Sequence, residues 1–314
     1  MTGSEGPLGW LRAKLRLPGD RQSAPSAVVE PRLAVVTDSA AALPAGFRSE
    51  LLTVVPMPVM VDGEIFDEGD PELLSTLSLA LAAGKPVKTS RPSPGHFERV
   101  YQGLADQGYQ QILSVHISAE LSGTVEAARL AAGRVEVPVH VLDSRTVAMA
   151  QGFAVQAAVR AAERGDDFEQ VLAIVNQQLQ SSKVFFYVPS LEQLRRGGRI
   201  GAAASWFGTV LAIKPILSVA NGQVVPLERV RSSAKAIARM DELVAQEIID
   251  RKAQKVQCQA AVHHFGNPDQ AENLLDRVRA MPVPPELAFI SDLPAVLAAH
   301  VGLGVLAVVI TGVE

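Results

Sequence analysis

An α/β fold in two domains is the architecture this sequence predicts, and three observations predict it. The chain has 314 residues, against roughly 150 for a typical domain, which gives room for two cores. Short apolar runs rich in Val and Ile alternate along it with longer helical stretches, the pattern of a largely parallel, helix-covered sheet. Hydrophobic residues make up 48% and charged residues 20%, with a formal net charge of −4. That is a globular balance, far from the basic profile of a nucleic-acid binder, so DNA and RNA are not expected partners.

Residues 1–31 read as an N-terminal extension. Within residues 7–17, Leu8, Trp10, Leu11, Leu15 and Leu17 alternate with Arg12, Lys14 and Arg16. This stretch lacks the apolar core of a signal peptide, which leaves a frayed tail or an amphipathic segment in transient contact with a membrane surface. The Pro, Ser and Ala run at 23–31 is a linker by composition. Residues 33–36 then form an apolar run ended by Thr37-Asp38-Ser39, as a strand feeding a site ends. Further buried strands are predicted over 52–61, 111–116, 137–142, 184–188 and 259–263, with helices over 71–83 and 96–107. An Ala-rich helix over 148–164 stops at Gly165, and another over 168–180 follows Asp166 and Asp167, which suit an N-terminal cap. The domain boundary is placed there, giving domains of 32–165 and 166–314.

Two later stretches are strongly apolar. Residues 201–217, with Trp206 and Phe207, read as a core helix or as one wall of an apolar ligand tunnel. Residues 293–313 are long enough to span a bilayer, yet Pro294, Gly302 and Gly304 interrupt them, which favours a short helix, a turn and a buried strand. The single Cys258 has no partner for a disulfide and no companion at metal-ligand spacing. It reads as a small buried hydrophobe in a reducing, cytoplasmic setting.

Polar clusters follow several of the predicted strands, where open parallel sheets bind ligands. They are Thr37-Asp38-Ser39, Thr89 to Ser93, Ser118 to Thr124, and Asp143-Ser144. Each can serve as an ordinary helix cap; together they offer hydroxyl and backbone donors to one small anion. His264 is the best base for a nucleophilic serine, but there is no G-x-S-x-G elbow and nothing local pairs a serine with it. A structural histidine is its other use. His263 and His264 are adjacent, so on an extended segment at most one enters a given site; no metal ligand and no catalytic residue is assigned. Residues 191–200, LEQLRRGGRI, set three arginines around a Gly pair, suited to a carboxylate, a phosphate or an acidic partner, or else to a solvated loop.

These clusters, in this order, resemble the DegV family, whose members are similar to the acyl-carrier subunits of bacterial fatty acid kinase. The resemblance runs from about Leu33 to the C-terminus. It is carried by TDSAAALP at 37–44, TSRPSP at 89–94, SAELSGT at 118–124, DSRTVAMAQG at 143–152, LRRGGRI at 194–200, KPIL at 214–217 and VRSSAKA at 230–236. It implies two α/β domains, the first with a mainly parallel Rossmann-like sheet, and a long-chain fatty acid such as palmitate or oleate held between them. By the same resemblance Thr89, Ser90, Ser118 and His264 would bind the carboxylate, with Ser39 and Thr124 supporting them. The partner would be a separate ATP-dependent fatty acid kinase subunit, docking at Arg196, Arg199 and Arg231 and forming the acyl phosphate that feeds phospholipid synthesis. No P-loop or kinase signature is present, so ATP and Mg²⁺ would belong to that partner. The chain itself would be a carrier with a bound fatty acid and no cofactor, not an enzyme.

One departure stands out: the family often has His-Thr-Gly-Pro-Gly where this chain has His300-Val301-Gly302-Leu303-Gly304, losing a hydroxyl and a rigid turn. Two rival functions also stand. One is an enzyme of the dihydroxyacetone-kinase-subunit type, acting on a small polar substrate through His264; the other is a regulatory lipid-sensing protein. Burying about 14 methylenes at roughly 0.8 kcal/mol each supplies on the order of 11 kcal/mol before association costs. Micromolar binding needs only about 8 kcal/mol, so the tail can carry affinity while the head fixes direction.

Overall fold

The computed structural model describes residues 32–206 and 213–313; the expected amphipathic segment, the linker and Phe207 lie outside them. In chain order the elements begin with β1 (Leu33–Asp38), β2 (Leu52–Val55), β3 (Val59–Val61), β4 (Glu64–Phe66), α1 (Leu73–Ala82), β5 (Val87–Thr89), α2 (Pro94–Asp106), β6 (Gln111–His116), α3 (Thr124–Ala132) and β7 (Val139–Asp143). They continue with α4 (Met149–Arg164), α5 (Phe168–Ser181), β8 (Lys183–Tyr187), α6 (Glu192–Arg196), β9 (Lys214–Ala220) and β10 (Gln223–Val230). The last are α7 (Ser233–Ala253), β11 (Cys258–Phe265), α8 (Pro268–Arg279), β12 (Leu287–Ile290), α9 (Ala295–Val301) and β13 (Val305–Gly312).

The first sheet runs β2-β1-β6-β7 with every pair parallel. β1 is buried along its whole length because both faces are covered, which is why it reads as an unbroken apolar run. Leu33 and Val35 share a core with Ala154, Val155 and Ala158 of α4. Ala34 and Val36 share another with Phe97 and Tyr101 of α2 and Ala127 and Ala128 of α3. The predicted strand over 52–61 is two strands: Pro56 and Pro58 lack the N–H a continuous ladder needs, and β3 instead joins a small antiparallel sheet, β4-β3-β5.

The second sheet runs β10-β9-β8-β13-β11-β12, and only β11 and β12 pair in parallel. A largely parallel arrangement therefore holds for the first sheet alone. The physical reason is local: β9 and β10 are joined by Asn221 and Gly222, with φ of 51° and 83°, a two-residue hairpin turn that only antiparallel neighbours accept. The core helix expected over 201–217 is corrected accordingly. Gly201–Trp206 is a short 3₁₀ helix and Lys214–Ala220 is β9. Pro215 is tolerated there because pairing with β8 stops at Ile216.

One face of this sheet, with Phe185, Tyr187, Ile216, Val262, Leu306 and Val308, packs on Met240 and Val244 of α7 and Leu274 and Val278 of α8. The other face shares a core with Met149, Ala150 and Phe153 of α4. α4 thus lies between the two sheets, and its alanines let both approach; a helix that is apolar all round is a buried one. It ends at Gly165, φ 84°, in the left-handed conformation glycine favours. α5 opens on a capping box between Asp167 and Gln170, and Gln178 of α5 donates to Thr311 of β13 at 2.7 Å. The described residues fall in one compact unit, and position 165/166 separates two helices that pack on each other through Val155, Val159, Val171 and Val175. Residues 293–313 form α9, a turn and β13, as the sequence predicts. No helix among the described residues is long and apolar enough to cross a membrane.

The cluster Thr37-Asp38-Ser39 is used up inside the fold. Asp38 has no exposed surface and accepts from Ala40 N at 3.1 Å, Ile117 N at 3.0 Å and His116 Nδ1 at 2.9 Å. His116 Nε2 is bonded to Ser114 Oγ at 2.7 Å, and that hydroxyl to Tyr101 at 2.8 Å. The order Asp-His-Ser imitates a nucleophilic triad, but all three residues are 0% exposed, so the chain of bonds fixes β1 to β6. Replacing Asp38 with Ala is expected to cost about 3–5 kcal/mol, because it strands buried donors. Urea unfolding at neutral pH measures this, and a loss under about 1 kcal/mol would contradict the role.

Candidate functional site

A cavity of about 260 Å³ lies against the face of the second sheet opposite α7 and α8, close to the lower limit of roughly 300 Å³ usual for ligand pockets. Strand alternation decides which side chains reach it. Val219, Val224, Val184, Phe186, Ala307 and His263 line it from the sheet, while Leu293, Val296, Leu297 and Val301 line it from α9 and the turn before. Met57, Ile117, Leu121 and Val147 complete an apolar wall from loops of the first half.

Polar groups gather at one end. Thr89, the last residue of β5, has its hydroxyl 2.8 Å from Nε2 of His300, near the end of α9. Ser90, Arg91, Ser122 and Arg199 line the same cavity. Ser122 Oγ is 2.8 Å from the hydroxyl of Thr124, the buried first residue of α3. Arg199 donates from Nε to the carbonyl of Leu121 at 3.0 Å, which aims its guanidinium. The pKa of His300 is lowered to about 4, first by burial and then by the positive charge of Arg199. The ring is neutral at pH 7, in an electropositive corner that a bound anion would relieve.

The glycine pair of LRRGGRI has a use for each member. A Cβ on Gly197 would run into Nδ1 of His300 and lie 2.9 Å from its Cε1. Gly198 has φ 71°, which side chains resist.

The structure brings together only part of the expected head-group set. Thr89 and Ser90 line the cavity, and so does Arg199, which the resemblance places at a docking surface. Ser118 does not: its hydroxyl donates to Gly222 O at 2.8 Å and accepts from Glu120 N at 3.2 Å, tying its loop to the β9–β10 turn. His264 does not either. Alternation along β11 turns His263 into the cavity and His264 to the face near Glu272 and Asp292, whose charges raise its pKa less than burial lowers it. Ser39 accepts from Met57 N at 3.1 Å and lies outside the cavity lining. Thr124 stands one hydrogen bond behind Ser122. Arg196 is exposed and paired with Glu192 at 2.7 Å, and Arg231 is exposed. Ser122, Arg91 and His300 are cavity residues the sequence does not single out, although Ser122 lies inside SAELSGT and His300 heads the altered C-terminal motif. Among the described residues, no three His, Cys, Asp or Glu side chains are grouped as a metal site.

Comparison with known proteins agrees with this architecture. The model of the family described as "Uncharacterised protein, DegV family" matches residues 32–312. A DegV domain-containing protein of Streptomyces coelicolor is 42% identical over 282 residues, covering 89% of this chain and 98% of that one. The solved structure of a DegV family protein from Thermus thermophilus, described for its fatty acid binding, superposes with a TM-score of 0.83 at 33% identity, over 90% of this chain and 100% of that one. A fatty-acid-binding DegV family protein from Streptococcus agalactiae superposes with a TM-score of 0.82 at 28% identity, over 90% and 100% of the two chains. With the family match running across nearly the whole described region and this degree of identity to a full-length relative, the chain belongs to the DegV family.

Proposed function

We propose that this protein is a fatty-acid carrier, holding a long-chain acid in the cavity and presenting its carboxylate to a separate ATP-dependent kinase that forms the acyl phosphate. The observation that carries this reading is an apolar cavity lined at one end by Thr89, Ser122, His300 and Arg199. Neutral donors and the guanidinium of Arg199 can hold a carboxylate there, while the acyl chain gains by leaving water. Thr89 and Ser90 keep the head-group role expected of them; Ser122 and His300 take it in place of Ser118 and His264, with Thr124 fixing the hydroxyl of Ser122. Arg196 and Arg231 remain the proposed docking residues for the kinase, while Arg199 moves to the head-group corner. An enzyme working on a small polar substrate through His264 is disfavoured, because His264 lies outside the cavity and the walls are apolar.

Native mass spectrometry of the purified protein, followed by denaturing extraction, tests the proposal. One fatty acid per chain is expected, retained through purification. A protein that is empty and also fails to take up added palmitate or oleate would end the carrier reading.

A further inference from the structure

The end of the cavity away from Thr89 carries a polar group that the carboxylate does not need. α9, seven residues long, runs beside the cavity for about 10 Å, with His300 towards its C-terminus. Just before its N-terminus, the carbonyl of Ser291 accepts from Nδ1 of His263 at 2.8 Å. His263 therefore sits at the opposite end of α9 from His300. Its ring is wholly buried and lines the cavity, and burial lowers its pKa to about 4.

With Nδ1–H donating to Ser291, Nε2 is an acceptor. It accepts one long bond, from the N–H of Met149, first residue of α4, at 3.4 Å, beyond the usual range of about 2.7–3.2 Å. Ala148, also in the lining, holds φ 57° and ψ −149°, a conformation almost confined to glycine. The start of α4 is thus held beside His263 against local strain. The Nε2 lone pair and this N–H are thus joined only to each other, by one long bond in an apolar wall. A hydroxyl inserted between them replaces that long bond with two, donating to Nε2 and accepting from the N–H.

We propose that His263 gives the tail end of the cavity a subsite for a hydroxyl carried on the acyl chain, so that the protein prefers a hydroxylated fatty acid to the plain acid of equal length. This rests on the carrier reading above. The test is competitive displacement of a fluorescent acyl probe by palmitate and by a set of monohydroxypalmitates with the hydroxyl moved along the chain. One isomer is expected to bind about fivefold more tightly than palmitate, the worth of one neutral hydrogen bond, and the ratio should fall to about one in His263→Phe. If that variant does not fold, the ¹⁵N resonance of Nε2 in the unaltered protein should move towards the hydrogen-bonded position with the preferred isomer and not with palmitate. Palmitate binding with no preferred isomer, or a preference that survives in His263→Phe, overturns the subsite and leaves the carrier reading standing. Failure of palmitate and every isomer to bind overturns both.

Discussion

Ligand-free protein is expected to lose about 3 kcal/mol of folding stability for each of His263 and His300 as the pH falls from 6.5 to about 4. Both rings are held neutral in the fold, and burial is the main cause in each. The unfolded chain takes up these protons near pH 6.5 and the folded chain only near pH 4, so the unfolded state binds more protons in between. Stability is therefore fully present above pH 6.5 and drains away below it. Glu68 and Asp241, whose carboxyl pKa values are raised by burial, act in the opposite direction over part of this window. Urea unfolding of the protein beside its His263→Phe and His300→Phe variants isolates the histidine contribution. A carboxylate bound next to His300 favours the imidazolium, so protein loaded with palmitate should be less acid-sensitive than empty protein. Equal pH slopes for the loaded and empty forms would place the carboxylate elsewhere.

The second large effect is expected at Gly197. A methyl group there meets the ring of His300 and also comes within 3.3 Å of the carbonyl of Gln193. The ring of His300 has to turn towards the cavity it lines, which occupies the head-group space and breaks its bond to Thr89. Gly197→Ala should weaken palmitate binding at least about tenfold and cost about 1–3 kcal/mol of stability, as overpacking usually does. Gly198→Ala is the control: a Cβ there touches nothing, although φ is 71°, so it should show backbone strain of about 1–2 kcal/mol with binding retained. If Gly197→Ala binds palmitate like the unaltered protein, the head-group site is not built around His300.

Much of the first sheet was legible because its signals are local. The apolar run of β1, the span of β6, the glycine stop of α4 and the acidic cap of α5 each follow from a few neighbouring residues. The β9–β10 hairpin carried an equally local signal, Asn221-Gly222, but the apolar run before it masked the turn. The site was less legible because its partners are distant. Ser118 and Ser122 look alike in SAELSGT, and what separates them is that Gly222 claims the hydroxyl of Ser118 from 104 residues away. The His263-His264 pair showed that only one could enter a cavity. Which one depends on the face β11 presents, and that is set by pairing with β13 and by α7 and α8 covering the other side.

The bond between Thr89 and His300 joins positions 211 residues apart, and it has a kinetic side. Contacts of such long range form late, after the entropy of closing the chain between them has been overcome. The head-group corner is therefore absent from any partly folded intermediate in which α9 has not yet docked. A fatty acid that binds only the finished corner stabilises the native state by mass action and gives earlier species nothing. On the carrier reading, occupancy then marks a chain in which α9 has docked.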